Sequence, residues 1–240
     1  MHLSVVIPAY NEEKRLPKTL EEIDKYLRRQ PYDYEIIVYS DDSKDRTCDI
    51  TRGLMPRIKN LRLIEKKENY GKGFAVRQGL LEAKGDYRLF TDADNSTSID
   101  QIEKMLPELK AGYDIIIGSR DVKGATLDPP QPWIRKIILG EGFKLYRKII
   151  LDLWEIEDTQ CGFKCFTKKA VENVFPKCEI NRFAFDPEIL ILAKKSGYKI
   201  KEIPVHWEND LESKVKIKSI IKMAIDLIKI RLNIIKGVYG

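Results

Sequence analysis

Short β-branched runs alternate along the chain with stretches whose apolar positions recur every three or four residues. "LSVVIPAY" (3–10) reads as a strand that stops at Pro8. "NEEKRLPKTLEEIDKYLRR" (11–29) opens with Asn and two acids, which suits a helix N-terminus. "YEIIVYS" (34–40) predicts a second strand, "SKDRTCDITRGL" a short helix and "LRLIE" (61–65) a third strand. After "NYGKG", "FAVRQGLLEAK" predicts a helix with a polar face. "YRLF" (87–90) is a fourth strand, "SIDQIEKMLPEL" a helix and "YDIIIGSR" (113–120) a fifth strand. Strands alternating with amphipathic helices predict an α/β fold with a mostly parallel sheet covered on both faces.

Ligands of such sheets bind at the carboxyl ends of the strands. "PAYNE", "SDDS", "TDAD" and "GSR" all fall there, four polar constellations on one edge. Within "LFTDADNSTS" (89–98), Asp92 and Asp94 stand one residue apart where an apolar strand ends. A buried carboxylate needs a partner or water. D-x-D at a turn can bring both carboxylates to one hard divalent cation, with waters and substrate phosphates completing the shell. The generic nucleotide motifs are missing, with neither G-x-G-x-x-G after the first strand nor G-x-x-x-x-G-K-[ST]. "NYGKGFAV" (69–76) offers two glycines and a lysine before a helix, either an anion-binding turn or a plain helix entry.

Composition adds a location rather than a class. The chain has 240 residues and a net charge of +6. Seven basic residues and one acid, Asp226, lie between Lys214 and Lys236, so the whole surplus sits in that segment. Such a distribution argues against a nucleic-acid binder. No apolar N-terminal stretch follows a basic segment, so no signal peptide is expected. No run reaches the roughly 18 uncharged apolar residues of a spanning helix. The four scattered cysteines are expected to be reduced, mostly packed thiols of a cytosolic protein. Within "KIKSIIKMAIDLIKIRLNIIKG" (216–237), Ile217, Ile221, Ala224, Ile228, Leu232 and Ile235 form one helical stripe. Ile220, Met223, Leu227, Ile230 and Ile234 form an adjacent one, opposite Lys218, Lys222, Lys229 and Lys236. Two readings stand, a helix packed on the core or an interfacial helix held by lysines to an anionic membrane surface. Residues 133–154 are a second apolar and basic segment.

"VVIPAYNEEKRL", "DDSKDRT", "NYGKG", "DAD", "GSR" and "DTQCGFKCF", in this order, resemble the family 2 glycosyltransferases of the GT-A fold. Among them the polyprenyl-phosphate sugar synthases look nearest. "DTQCGFK" and "NRFAFDPEILILAKKSGYKIKEIPVHW" are more similar to the dolichyl-phosphate glucosyltransferases than to the mannose synthases. Asn95 and Ser96 stand where the latter would show Leu-Gln. The resemblance covers nearly the whole chain. It implies a catalytic domain over residues 1–212 and a membrane-surface helix over 213–240. It places Pro8, Tyr10, Glu12, Asp41, Lys72, Asp92 and Ala93 at the nucleotide sugar, with Ser40 and Asp42 departing from the family's D-D-G-S. Asp92 and Asp94 match the metal-binding pair for Mg²⁺ or Mn²⁺, Asp94 as the direct ligand. Arg120 and Arg135 match residues near the phosphates, Asp158 an acid near the acceptor. Ser213 and Lys214 match a loop that closes over the donor.

The activity implied is inverting transfer of a hexose, glucose from UDP-glucose, to a polyprenyl or dolichyl phosphate, by a peripheral enzyme at the cytoplasmic membrane face. Asp94, Asp158 and Arg120 are its catalytic candidates. A phosphate acceptor, whose second pKa lies near ~6, hardly needs a general base. Two other readings remain at this point, a family 2 enzyme acting on a saccharide or protein hydroxyl, and a non-catalytic docking module with a vestigial nucleotide site.

Overall fold

The computed structural model describes residues 2–129, 140–208 and 217–239. Nine strands are described: β1 (His2–Ala9), β2 (Asp33–Asp41), β3 (Leu61–Lys66), β4 (Tyr87–Thr91), β5 (Ile115–Ser119), β6 (Thr126–Asp128), β7 (Phe163–Thr167), β8 (Ile200–Pro204) and β9 (His206–Glu208). The helices are α1 (Leu16–Leu27), α2 (Thr47–Leu54), α3 (Lys72–Glu82), α4 (Leu106–Lys110), α5 (Gly142–Leu151), α6 (Lys168–Val174), α7 (Phe185–Lys195) and α8 (Ile217–Ile235).

Seven strands form one sheet in the order β3-β2-β1-β4-β7-β5-β8, while β6 and β9 make a small parallel pair. Every neighbour in the large sheet is parallel except β7, which runs against both β4 and β5. The period-2 alternation of the strands builds two cores. Val6, Ile37 and Phe90 face the side covered by α3, α6, α7 and α8. Val5, Ile7, Ile36, Val38 and Leu89 face the side covered by α1 and α4. The strand order reverses between β1 and β4, and a sheet of this kind opens its ligand crevice there.

Two predicted helices start or break differently. The stretch 11–29 becomes helical only at Leu16, with Pro17 in the first turn. Before it, Asn11 is left-handed, and the backbone N–H groups of Asn11, Glu12 and Glu13 donate to Ser43, Thr47 and Asp45. Those bonds tie the turn after β1 to the turn after β2, which outweighs the helical propensity of the acids. "SIDQIEKMLPEL" splits into a 3-10 segment, Ile99–Lys104, and α4. Pro107 sits in the first turn of α4, where its missing N–H costs nothing; within a continuous helix it would break the ladder.

The two sides of the C-terminal helix differ in burial. Met223, Leu227 and Ile230 are buried in the same core as α7 and the sheet. Ile221, Ile225, Ile228, Leu232 and Ile235 are exposed, as are Leu145 and Ile149 on α5. Among the described residues no helix is long and apolar enough to cross a membrane.

Candidate active site

At the ends of β1 and β2 the chain builds a shallow floor. Pro8 is buried inside β1 and the Tyr10 ring beyond it is exposed. Glu12 is buried and held by Arg15 at 2.7 Å through two oxygens. Asp41, also buried, accepts from the N–H groups of Tyr70 at 3.1 Å and Gly71 at 2.6 Å. Its carboxylate therefore clamps the "NYGKG" loop. Gly71 lies at φ +112°, a conformation suited to glycine. Tyr70 stacks at a tilt on Phe74, 4.6 Å between centroids, and leaves its outer face exposed.

The D-x-D follows β4. The Asp92 N–H donates to the Gly162 carbonyl at 3.1 Å, and a Cβ at Gly162 would stand 2.0 Å from Asp92 Oδ2. Only glycine there leaves room for that carboxylate. Asp92 Oδ1 meets Lys72 Nζ at 2.6 Å. Burial alone would lower the Lys72 pKa; Asp92 beside it and Asp186 beyond raise it, so the ammonium stays charged. Asp94 accepts from the Ser96 N–H at 3.1 Å and lies 3.7 Å from Arg15 Nη1. Burial, then the nearby Asp92, pushes its carboxyl above the usual range. The Ala93 carbonyl accepts from Thr19 Oγ1 at 2.8 Å, which pins the turn. Beneath it lies a buried ion pair, Lys164–Asp186, at 2.5 Å.

These residues fit a hard divalent cation. Two carboxylates on one turn repel each other, and no group of three His, Cys, Asp or Glu side chains that could hold a metal exists among the described residues. Such a donor set leaves most of the shell to other oxygens, as in sites where Mg²⁺ is shared with substrate phosphates.

Beyond β5, Arg120 and Asp158 form a bidentate pair. Nε donates to Oδ2 at 2.7 Å, Nη2 to Oδ1 at 3.0 Å and the Arg120 backbone N–H to Oδ2 at 3.1 Å. The Gln160 N–H adds a fourth bond at 2.9 Å. Burial opposes the charge on Asp158, but the Arg120 guanidinium and these hydrogen bonds outweigh it and hold the carboxyl well below the usual carboxylate range. The guanidinium also stacks over Trp207, 4.7 Å from the ring centroid.

This pair borders a pocket of about 200 Å³ whose lining includes Lys144, Arg147, Glu157 and Gln160. Arg147 is only 2% exposed. Its Nη2 donates to the carbonyls of Ile156 and Glu157, and its Nη1 has no partner. Sequence reading missed this residue. The signal was its phase: Phe143, Arg147 and Leu151 share one face of α5, so a charge sits at a core position. Lys164 has the same signature, inward on a central strand between Phe163 and Cys165. Arg135, Ser213 and Lys214 lie outside the described residues. All four cysteines are free, and burial pushes the Cys161 and Cys165 thiols up to about 12.

Comparison with known proteins agrees with this layout. Residues 4–175 match the model described as glycosyl transferase family 2. A dolichyl-phosphate beta-glucosyltransferase of Trichomonas vaginalis is 40% identical over 250 residues, covering 98% of this chain and 75% of its own length. The enzyme of that name from Dictyostelium discoideum is 36% identical, over 100% and 76%. The human one is 35% identical, over 99% and 77%. Among solved structures, mannosyl-3-phosphoglycerate synthase from Rubrobacter xylanophilus superposes with a TM-score of 0.71 at 16% identity, over 99% of this chain and 75% of that one. Glucosyl-3-phosphoglycerate synthase from Mycobacterium tuberculosis, solved with Mn²⁺, UDP-glucose and phosphoglyceric acid, gives 0.70 at 15% identity, over 96% and 78%. These last two are likenesses of fold, and the expected GT-A architecture is met.

Proposed function

The chain belongs to glycosyl transferase family 2, and from that premise we propose that it moves glucose from UDP-glucose to a polyprenyl phosphate of the dolichyl type, with inversion, at the cytoplasmic face of a membrane. It is a glycosyltransferase; the donor, the acceptor and the place are the proposal. One observation carries the acceptor. Asp158, the acid nearest Arg120, is already bound by a guanidinium and two backbone N–H groups, and its carboxyl is held far below neutrality. A group so acidic is a poor general base at neutral pH. A sugar hydroxyl would need such a base; a phosphate oxygen, already anionic near pH 7, does not.

In the reaction, a phosphate oxygen of the acceptor forms the new bond to the anomeric carbon as the bond to the UDP oxygen breaks. UDP leaves with the electron pair, and no proton need move. Asp94 and Asp92 would hold Mg²⁺ or Mn²⁺, which when bound neutralises the diphosphate as a leaving group. Lys72, paired with Asp92 Oδ1, would orient that carboxylate. Asp41 holds the loop that borders the nucleotide. Arg120, with the unpartnered Nη1 of Arg147, offers donors to the acceptor phosphate. The relatives named for dolichyl phosphate support a lipid acceptor. The exposed stripe of α8, flanked by Lys222, Lys229, Arg231 and Lys236, supports an anionic membrane surface as its site of approach.

The test is a panel of UDP- and GDP-sugars incubated with polyprenyl phosphate and Mg²⁺ or Mn²⁺, with lipid products read by mass. One hexose added from UDP-glucose is expected. Transfer to a hydroxyl acceptor without the lipid phosphate would sink the reading.

A further inference from the structure

Glu188 lies in the first turn of α7, fully buried, and none of the chemistry above uses it. Its carboxylate accepts three hydrogen bonds. The N–H groups of Glu179 and Ile180 each donate at 2.9 Å, and the Tyr239 hydroxyl donates at 2.8 Å. Tyr239 follows the last turn of α8, where Asn233 Nδ2 also reaches its hydroxyl at 3.3 Å. The end of the half-exposed C-terminal helix is thus bonded to a buried carboxyl group.

That carboxyl group fixes the 178–182 loop, and the loop is the wall against which the donor loop rests. The Phe74 N–H donates to the Asn181 carbonyl at 3.0 Å. Arg77 reaches both the Cys178 carbonyl and Asn181 Oδ1. A Cβ at Gly71 would stand 2.6 Å from Asn181 O; one at Gly73 would stand 2.8 Å from the carbonyls of Ile180 and Arg182. Two backbones therefore meet with no room for a side chain. Gly71 and Gly73 bracket Lys72, and Gly71 is itself held by Asp41. A shift of the wall moves the residues that border the donor.

We propose that Glu188 and Tyr239 are positioning residues for nucleotide binding, a latch through which the seated end of α8 holds the 178–182 wall against the donor loop. The proposal rests on the reading above that Asp41 and Lys72 border the nucleotide. It adds that the helix carrying the exposed apolar stripe also sets the donor site.

The test is a calorimetric titration of the full chain with UDP in Mn²⁺, alongside thermal melts and vesicle co-sedimentation. Tyr239→Phe removes one hydrogen bond and should weaken UDP by roughly three- to tenfold. It should raise the donor KM while leaving the acceptor KM and vesicle binding unchanged. Glu188→Gln leaves a backbone N–H facing an amide and should cost more. Adding Tyr239→Phe to Glu188→Gln should add little, because the two act as one unit. An unchanged UDP affinity in Tyr239→Phe, with or without a lower melting temperature, overturns the latch. Lys72→Met separates the two ideas: if it leaves UDP binding intact, the donor-site reading has failed, not the latch alone.

Discussion

Two aspartates of this site meet opposite fates. Asp94, at the donor end, shares its turn with a second carboxylate, and Arg15 Nη1 lies 3.7 Å away. Burial and the nearby Asp92 push its carboxyl up. Asp158, at the acceptor end, is also buried, but a guanidinium grips both its oxygens and its carboxyl is pulled down. The difference shows where charge is still wanted. The donor end carries anion in excess of its fixed cations and suits a bound metal. The acceptor end has already met its cation internally, so Asp158 serves by holding Arg120 in place. On the proposed reading, a ligand would complete one half of the site, whereas the chain itself completes the other.

Breaking the donor end should have the largest effect. Asp94→Ala should reduce transfer by roughly 10³-fold or more, because several kcal/mol of charge stabilisation is lost. The melting temperature should not fall, since a repelled carboxylate has been removed. Steady-state rates with a melt check both halves. An unimpaired mutant would dissolve the contrast.

At the acceptor end the first effect should be on stability. Arg120→Met leaves Asp158 buried without its cation and should cost about 3–5 kcal/mol, read by denaturant unfolding. Asp158→Asn sharpens this through pH. The folded pKa of Asp158 is depressed, so its contribution is present above the unfolded value near ~3.9 and is lost as pH falls from there toward the folded value. The stability gap between wild type and Asp158→Asn should therefore be constant near neutrality and narrow below about pH 4. The mutant should keep measurable activity with an unshifted rate profile near pH 7. A total loss of activity in the mutant, with a wild-type rate that falls on the acid side as Asp158 is protonated, would make Asp158 a true base after all.

Smaller effects probe the periphery. Arg147→Met should raise the acceptor KM about tenfold, the worth of one charge-assisted bond, and leave UDP affinity alone. Changing Lys222, Lys229 and Lys236 to Glu should release the protein from anionic vesicles at low salt, at about 1 kcal/mol per lysine. The exposed stripe, Ile225 among it, should account for any binding that salt does not remove.

The donor half was more legible in the sequence than the acceptor half. Its strands are parallel, each ends in a polar cluster, and Asp41, Asp92 and Asp94 act within a few residues of a strand end. Local pattern therefore finds them. The acceptor half depends on contacts across long separations. Arg120 finds Asp158 only after β7 has been inserted backwards, and "GFKCF" carries too short an alternation to announce a reversed strand. Arg147 did not stand out within the apolar and basic segment 133–154, where one buried charge looks like its basic neighbours. Glu188 and Tyr239 meet across 51 residues of chain, and nothing in either neighbourhood marks the other. The two stripes of α8 were legible as stripes; which one meets the core was decided by the surfaces of α5 and α7.

The reversed direction of β7 also sets what can change independently. In a strand that runs against its neighbours, the residues that enter it, rather than those that leave it, reach the ligand edge. Asp158 to Gly162 arrive there in that way, on the return from α5. Apart from Gly162, which must make room for Asp92, the acceptor side hangs on one excursion of the chain between β5 and β7. The donor strands close on one another without it. On the proposed reading, an exchange of that excursion would recast what receives the sugar while the pairing register of β1 to β4 stays as it is, a constant half beside a replaceable one.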